Sequence, residues 1–109
     1  MKFRFEELEL KRLVNFNGGE KELCAYMYVD ELNKILKGRL VKGASIGLHT
    51  HVDTAEIIYV LAGEGKMICD GKEEKLVKGD VHYCPKGSSH TLMNEKDEDL
   101  EFFAVVPKQ

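Results

Sequence analysis

The sequence contains no tryptophan, only 2 prolines and only 3 cysteines, and the last two scarcities limit the class of protein to which it can belong. So little proline, together with 43% hydrophobic and 32% charged residues, excludes the disordered and fibrous classes of protein. The cysteines, Cys24, Cys69 and Cys84, are odd in number and widely spaced, and they form no Cys-x-x-Cys pair. We therefore expect free thiols rather than a disulfide framework, and a cytoplasmic location.

Long apolar runs and basic runs are also missing. No stretch approaches the roughly 18 apolar residues that a membrane-spanning helix needs. Acidic residues, Glu6 and Glu7, stand near the amino terminus where a signal peptide would place an apolar segment. The net charge is −3, and charges of both signs are mixed along the chain. Neither a membrane nor a nucleic acid is therefore an expected partner.

A chain of 109 residues fits a single domain, which we assign to residues 1–109. Residues 1–22 differ from the rest, because charges are interleaved with large apolar side chains and the stretch runs into an Asn-Gly-Gly turn at 17–19. Periodicity leaves three alternatives open for this extension. It is an edge strand, a short helix, or an arm that packs on a second subunit.

Beyond the extension, short β-strand patterns recur between glycine-rich turns. Gly38 interrupts the second of these patterns, and Asp70-Gly71 is a strong hairpin signal. A single weak helical pattern covers residues 30–36. Many short strands with almost no helix predict an all-β sandwich or barrel. The predicted strands cover residues 23–29, 35–41, 45–51, 56–61, 66–69, 72–77, 81–84, 91–93 and 100–106.

Three histidines and a glutamate form the candidate site: His49, His51, Glu56 and His90. Side chains alternate along a strand, so His49 and His51 point the same way. A turn at residues 53–54 lets the chain return, and Glu56 opens the next strand. We expect that strand to be the antiparallel neighbour of the first, which would bring the three side chains within about 5 Å. The turn before His90 would aim its strand back toward them.

Three imidazoles and one carboxylate can hold a divalent metal ion and leave coordination positions open. These ligand types suit manganese, iron, cobalt, nickel, copper or zinc. With an ionised carboxylate the loaded site carries about one net positive charge. We therefore expect it to attract a small anionic or chelating metabolite.

The surroundings of the site are expected to be mainly apolar. Strand parity places Ile58, Val60 and Leu92 toward the same interior, and Ser45 on the face of His49. His82 lies outside this pattern and is interpreted as structural. Asp53, in the loop between ligands, is the nearest further acid and is expected to be solvated.

The sequence resembles the cupin superfamily. The first cupin motif, Gly-x5-His-x-His-x(3,4)-Glu-x6-Gly, matches from Gly43 to Gly63, and the second, Gly-x5-Pro-x-Gly-x2-His-x3-Asn, matches from Gly79 to Asn94. The resemblance implies a small jelly-roll β-barrel, the double-stranded β-helix, with residues 43–94 as its motif-bearing core. It also implies that the four candidate residues are metal ligands. Small cupins are often homodimers that exchange amino-terminal strands, which would give residues 1–22 a role.

Two functional hypotheses from different classes follow. In the first, the protein is a metal-dependent enzyme acting on a small oxygen-chelating metabolite, with dioxygenase, decarboxylase or isomerase chemistry as found among similar cupins. In the second, the same site binds a metabolite without turnover, as a sensor or carrier module. A metal-stabilised scaffold whose function is its dimer interface is a third possibility. The sequence assigns no catalytic residue beyond the ligands.

Overall fold

The computed structural model describes residues 1–109 and contains ten β-strands and no α-helix. Two short 3-10 turns, Phe5–Glu7 and Phe16–Gly18, flank the first strand. No helix long and apolar enough to cross a membrane is found. The strands are β1 (Leu10–Val14), β2 (Glu22–Val29), β3 (Asn33–Leu40), β4 (Ser45–Thr50), β5 (Glu56–Ala62), β6 (Glu64–Cys69), β7 (Lys72–Val77), β8 (Val81–Cys84), β9 (Ser89–Met93) and β10 (Leu100–Pro107).

The strands form two antiparallel sheets that enclose one core. The larger sheet has the order β1-β2-β3-β10-β5-β8, and the smaller sheet has the order β4-β9-β6-β7. Fully buried side chains of both sheets meet between them, among them Leu40, Phe102, Met67 and Val60. The fold is the small jelly-roll β-barrel that the sequence predicts.

All nine predicted strands are present, with ends that shift by no more than a few residues. The helical prediction over residues 30–36 is wrong. A carboxylate oxygen of Asp30 accepts hydrogen bonds from the backbone N–H groups of Leu32 and Asn33, which makes a turn, and β3 begins at once. Gly38 does not interrupt β3, because its missing side chain leaves room for the ring of Phe102.

The amino-terminal extension adopts the edge-strand alternative. Strand β1 pairs with β2, with Leu10 opposite Tyr26. The preceding aromatic residues pack on the same barrel, since the rings of Phe3 and Tyr28 stack with centroids 5.2 Å apart and Phe5 meets Phe103 edge-on at 6.1 Å. The extension therefore lengthens the larger sheet and covers part of its outer face.

Candidate metal centre

The fold brings all four predicted site residues to one point inside the barrel. His49 lies near the end of β4 and His51 directly after it, Glu56 is the first residue of β5, and His90 is in β9. His49 stands opposite His90 in the pairing of β4 with β9. The His51 carbonyl accepts a hydrogen bond of 2.6 Å from the backbone N–H of Gly87, so the turn before β9 is tied to the ligand-bearing segment.

The route by which Glu56 reaches the histidines differs from the prediction. Strands β4 and β5 are not neighbours, because β4 belongs to the smaller sheet and β5 to the larger. Glu56 therefore faces the histidines across the interior of the barrel rather than along one sheet. The loop between His51 and Glu56 crosses from one sheet to the other, which a pattern of turn residues cannot reveal.

The four side chains converge through one atom each. The Nε2 atom of His90 lies 3.0 Å from Nε2 of His51 and 3.1 Å from Nε2 of His49. The Oε1 atom of Glu56 lies 2.9 Å from the His90 nitrogen and 3.2 Å from the His51 nitrogen, with the His49 nitrogen at 3.9 Å. His51, Glu56 and His90 are buried and His49 is partly exposed, so the site opens to one side.

This donor set fits a divalent transition-metal ion. Two nitrogen ligands at right angles, each about 2.1 Å from an ion, would stand roughly 3.0 Å apart. The nitrogen of His90 shows that spacing to both other imidazoles. Three imidazoles and a carboxylate suit first-row metals, and such an ion would supply Lewis acidity and coordination positions for oxygen donors. The residues that would hold it are His49, His51, Glu56 and His90.

Hydrogen bonds at the far side of two rings fix their orientation. Nδ1–H of His49 donates to the carbonyl oxygen of Gly47 at 2.7 Å. Because a carbonyl only accepts, the neutral His49 ring keeps its Nε2 lone pair free. Nδ1 of His51 lies 2.7 Å from the hydroxyl oxygen of Thr54, which is another partner that the motif does not reveal. Such outer contacts keep ligand rings ready for a metal.

The charge of the site resides on Glu56. Burial alone would raise the pKa of this carboxyl, but its contacts with the imidazoles of His49, His51 and His90 outweigh burial and hold the pKa well below its ordinary value. Burial likewise would lower the pKa of His49, whereas its contacts with Glu56 and the Gly47 carbonyl raise it. The carboxylate is therefore ionised at neutral pH, as a metal ligand must be.

His82, interpreted from the sequence as structural, is in contact with the site. Its Nε2 atom lies 3.1 Å from Nδ1 of His90, and its Nδ1 atom lies 3.0 Å from Oε1 of Glu74. Burial and the neighbouring imidazole of His90 lower the pKa of His82, despite the opposing effect of Glu74. Its place opposite Ile58 in the pairing of β5 with β8 turns it inward, and only that long-range pairing would have revealed the contact.

Two thiols lie close to His82. One ligand atom each of Cys69, His82 and Cys84 fall within 4.8 Å of one another. Both ring nitrogens of His82 already have hydrogen-bond partners, Glu74 and His90. All three cysteines of the chain are free, and burial raises the pKa of Cys84 to about 12.

A cavity of about 230 Å³ opens beside the four converging side chains. Its walls are mainly apolar, as predicted, but Ile58, Val60 and Leu92 are buried in the core and do not line it. Lys34 and Asn17 add a cation and an amide that the sequence pattern did not predict. Lys34 shares strand parity with the buried Leu36 and Leu40, and a charge on that inward face was the available signal. Further lining residues are Phe16, Leu23, Met27, Leu36, Ile46, Phe102 and Val106.

Ser45 does not share the face of His49, which corrects the sequence prediction. The pairing of β4 with β9 shifts between Ile46 and His49, so a bulge reverses the alternation there. Ile46 lines the cavity as a result. Ser45 instead accepts a hydrogen bond of 2.8 Å from the backbone N–H of Glu20. Asp53 is exposed on the loop and does not line this cavity.

Comparison with known proteins agrees with this architecture. A curated oxalate-binding protein from Thermotoga maritima is 37% identical over 112 residues, covering 97% of this chain and 93% of that protein. A solved structure from Thermotoga maritima, described as a predicted oxalate decarboxylase, is 32% identical with a TM-score of 0.93 and full coverage of both chains. A Cupin 2 conserved barrel domain protein from Salinispora arenicola is 26% identical with a TM-score of 0.76, over 99% of this chain and 89% of that one.

A family model described as a cupin domain matches residues 37–106. This match contains both motifs and all four converging side chains, and it agrees with the jelly-roll fold of the whole chain. The chain therefore belongs to the cupin superfamily, as a small cupin domain.

Proposed function

We propose that His49, His51, Glu56 and His90 hold one divalent transition-metal ion, and that this ion with its surroundings binds a small dicarboxylate of the oxalate class. The metal is manganese, iron, cobalt, nickel, copper or zinc, the ions that suit imidazole and carboxylate ligands. The convergence of three Nε2 atoms and one carboxylate oxygen supports the metal. No other group of side chains in the cavity wall offers comparable ligands.

The chemistry of the cavity supports an anionic ligand. Lys34 is the one cationic side chain among the lining residues, and Glu56 is the one acidic side chain. With Glu56 committed to the metal, the ion and Lys34 leave the cavity positive. A dicarboxylate would place one carboxylate on the metal and the other near Lys34. The oxalate-binding protein of Thermotoga maritima, 37% identical, points to the same ligand class.

Binding without turnover is the function that this cavity supports best. Decarboxylation leaves a carbanion that must take up a proton, and general acid catalysis by a carboxyl is one way to supply it. Apart from Glu56, the cavity wall contains no carboxyl group. A metal-dependent enzyme remains the second candidate, supported by the likeness to the structure described as a predicted oxalate decarboxylase.

Calorimetric titration of the metal-loaded protein with oxalate tests the proposal. We expect oxalate to bind to the loaded protein and not to the metal-free protein. Lys34→Met should weaken oxalate binding about tenfold or more, because a hydrogen-bonded charge contact is lost, and should leave metal content unchanged. Lys37→Met is the matched control, since Lys37 lies on the same strand but outside this cavity. Equal oxalate affinity in both variants would remove Lys34 from the binding site.

The same samples separate the two candidate functions. Oxalate that is recovered unchanged after prolonged incubation, with no formate, carbon dioxide or oxygen consumption, supports the binding module. Product formation that is lost in His51→Ala would instead establish the enzyme. Elemental analysis of the native protein identifies the ion.

A further inference from the structure

We propose that Glu74 and His82 act as a positioning pair that keeps a proton on Nδ1 of His90, so that the Nε2 lone pair of His90 faces the metal. The proposal rests on the metal site of the proposed function. It adds two residues outside the converging set, neither of which touches the ion. The pair links a metal ligand on β9 to the outer surface of the barrel at β7.

The geometry forms a continuous chain of hydrogen bonds. Oε1 of Glu74 lies 3.0 Å from Nδ1 of His82, and Nε2 of His82 lies 3.1 Å from Nδ1 of His90. The two rings stack with centroids 5.2 Å apart and planes inclined by 24°. The side chains of His82 and His90 are 3% and 2% exposed, so water does not replace these contacts. Glu74 is 45% exposed and anchors the chain at the surface.

The direction of every proton follows from what each group can do. An ionised carboxylate only accepts hydrogen bonds, so Nδ1 of His82 must donate to Glu74. A neutral imidazole has one N–H, so Nε2 of His82 then accepts. Its partner, Nδ1 of His90, must therefore carry a proton. In the metal-free protein, Nε2 of His90 lies 2.9 Å from the Glu56 carboxylate and can donate a second proton to it. When His90 binds a metal as a neutral ring, the proton held on Nδ1 leaves the lone pair on Nε2. A metal-binding imidazole commonly depends on an outer partner of this kind.

A purely structural His82 would behave differently. In that case the ring only fills space, and any flat side chain of similar size would serve equally well. The two roles separate in variants that keep the shape of the ring and lose its nitrogen atoms. They also separate at Glu74, whose carboxylate fills no core space.

Four variants test the proposal. Glu74→Leu and His82→Phe remove the acceptors, whereas Glu74→Gln and His82→Gln each keep an oxygen that can accept the same hydrogen bond. Two measurements apply to each: nitrogen-15 NMR of the histidine rings in the metal-free protein, and the affinity for Co²⁺ by calorimetry. The chain has 4 histidines, so each ring can be assigned. His51→Ala serves as the reference for a lost ligand.

In the wild-type protein we expect protonated Nδ1 atoms on both His82 and His90. Glu74→Leu should lose this fixed pattern at both rings, and Glu74→Gln should keep it. Glu74→Leu and His82→Phe should bind Co²⁺ roughly 10–100-fold more weakly, while the two glutamine variants stay near wild type. Should His82→Phe fail to fold, the exposed Glu74 position still decides the matter.

An unprotonated Nδ1 of His90 in the wild-type protein would overturn the proposal. So would unchanged Co²⁺ affinity in Glu74→Leu, provided that His51→Ala abolishes binding, and in that case the metal site itself would stand. If the wild-type protein binds no Co²⁺ or other first-row ion, the proposed function fails. The NMR result on the metal-free protein then still decides whether the pair directs the proton.

Discussion

Glu56 decides the electrical character of the candidate site. Glu56 is 7% exposed and its carboxylate contacts three imidazoles, and these contacts hold its pKa well below the ordinary value against the effect of burial. A carboxylate that stays ionised in the interior needs a positive partner. A divalent ion held by the same side chains, as we propose, would supply that partner and leave the site with a net positive charge for an anion.

Cys84 illustrates how burial controls a residue close to that site. The side chain is fully buried, and burial raises the pKa of the thiol to about 12. We expect iodoacetamide at pH 8 to modify Cys84 much more slowly than the partly exposed Cys69, whose pKa is also raised. Peptide mass spectrometry after timed labelling measures both rates, and labelling in guanidinium chloride is the control in which the rates should converge.

The raised pKa of Cys84 also makes the stability of the folded protein depend on pH. The thiol of unfolded protein ionises near its ordinary value of 9.0, whereas that of folded protein holds its proton until about pH 12. The contribution of the Cys84 thiol to the free energy of unfolding is therefore complete below pH 9 and is lost as the pH rises toward 12. Equal labelling rates for Cys84 and Cys69 in the folded protein would contradict this description of the Cys84 environment.

Single residues differ in how well the sequence reveals them. The four converging residues are predictable because the motif spacing ties each to a strand end. Lys34 and His82 are not, since their neighbours come from strands far away in sequence. The position of Lys34 in the cavity could have been predicted, because Lys34 alternates in phase with the buried Leu36 and Leu40. The contact of His82 with the site can be predicted only once the pairing of β8 with β5 is known.

At the scale of elements, β4 is held in place by a close backbone approach. Gly47 lies in β4 against the turn at Asn17, and a Cβ atom there would overlap the Asn17 carbonyl. The Gly47 carbonyl also accepts the hydrogen bond from His49. The extension therefore packs against the very segment that orients a candidate metal ligand.

Gly47→Ala should disturb both the fold and the site. Overpacking of this kind costs about 1–3 kcal/mol, and we expect a loss of that size in the free energy of unfolding by denaturant titration. Metal affinity should fall as well, because His49 loses its fixed carbonyl. Leu48→Ala is the control, since Leu48 is the next residue and is 67% exposed. Equal stability of the two variants would show that the turn at Asn17 moves to accept the methyl group without a loss of free energy, and would contradict this description.

Strands were more predictable than sheets. Glycine and proline turns delimit the strands well, and Asp70-Gly71 joins β6 to β7 as predicted. Asn94, the last residue of the second motif, donates hydrogen bonds to the carbonyls of Leu40 and Glu98. Sheet membership depends on pairings between distant segments, and this is why β5 was wrongly expected to pair with β4.

At the scale of the molecule, the extension remains the region with a predicted second role. Strand β1 ends the larger sheet, so one of its edges has no partner strand. A chain of 109 residues would also gain stability from burial against a second copy. We therefore keep the sequence prediction of a homodimer in which residues 1–22 contribute to the interface.

Deletion of residues 1–15 tests that prediction. The deletion removes β1 and uncovers the rings of Tyr28 and Phe103. We expect light scattering to give twice the 12.4 kDa chain mass for the full chain and a lower mass for the deletion variant. Arg4→Ala, an exposed change within the extension, should keep the full-length value. A full chain that scatters as a monomer at working concentration would contradict the dimer.

We propose that one metal ion binds between His49, His51, Glu56 and His90. The stoichiometry of Co²⁺ binding by calorimetry tests this in the wild-type protein and in the four single alanine variants at these positions, with circular dichroism to confirm folding. We predict one ion per wild-type chain and a large loss of affinity in each variant. Folded wild-type protein that binds no first-row ion, or variants that bind as tightly as wild type, would contradict the claim.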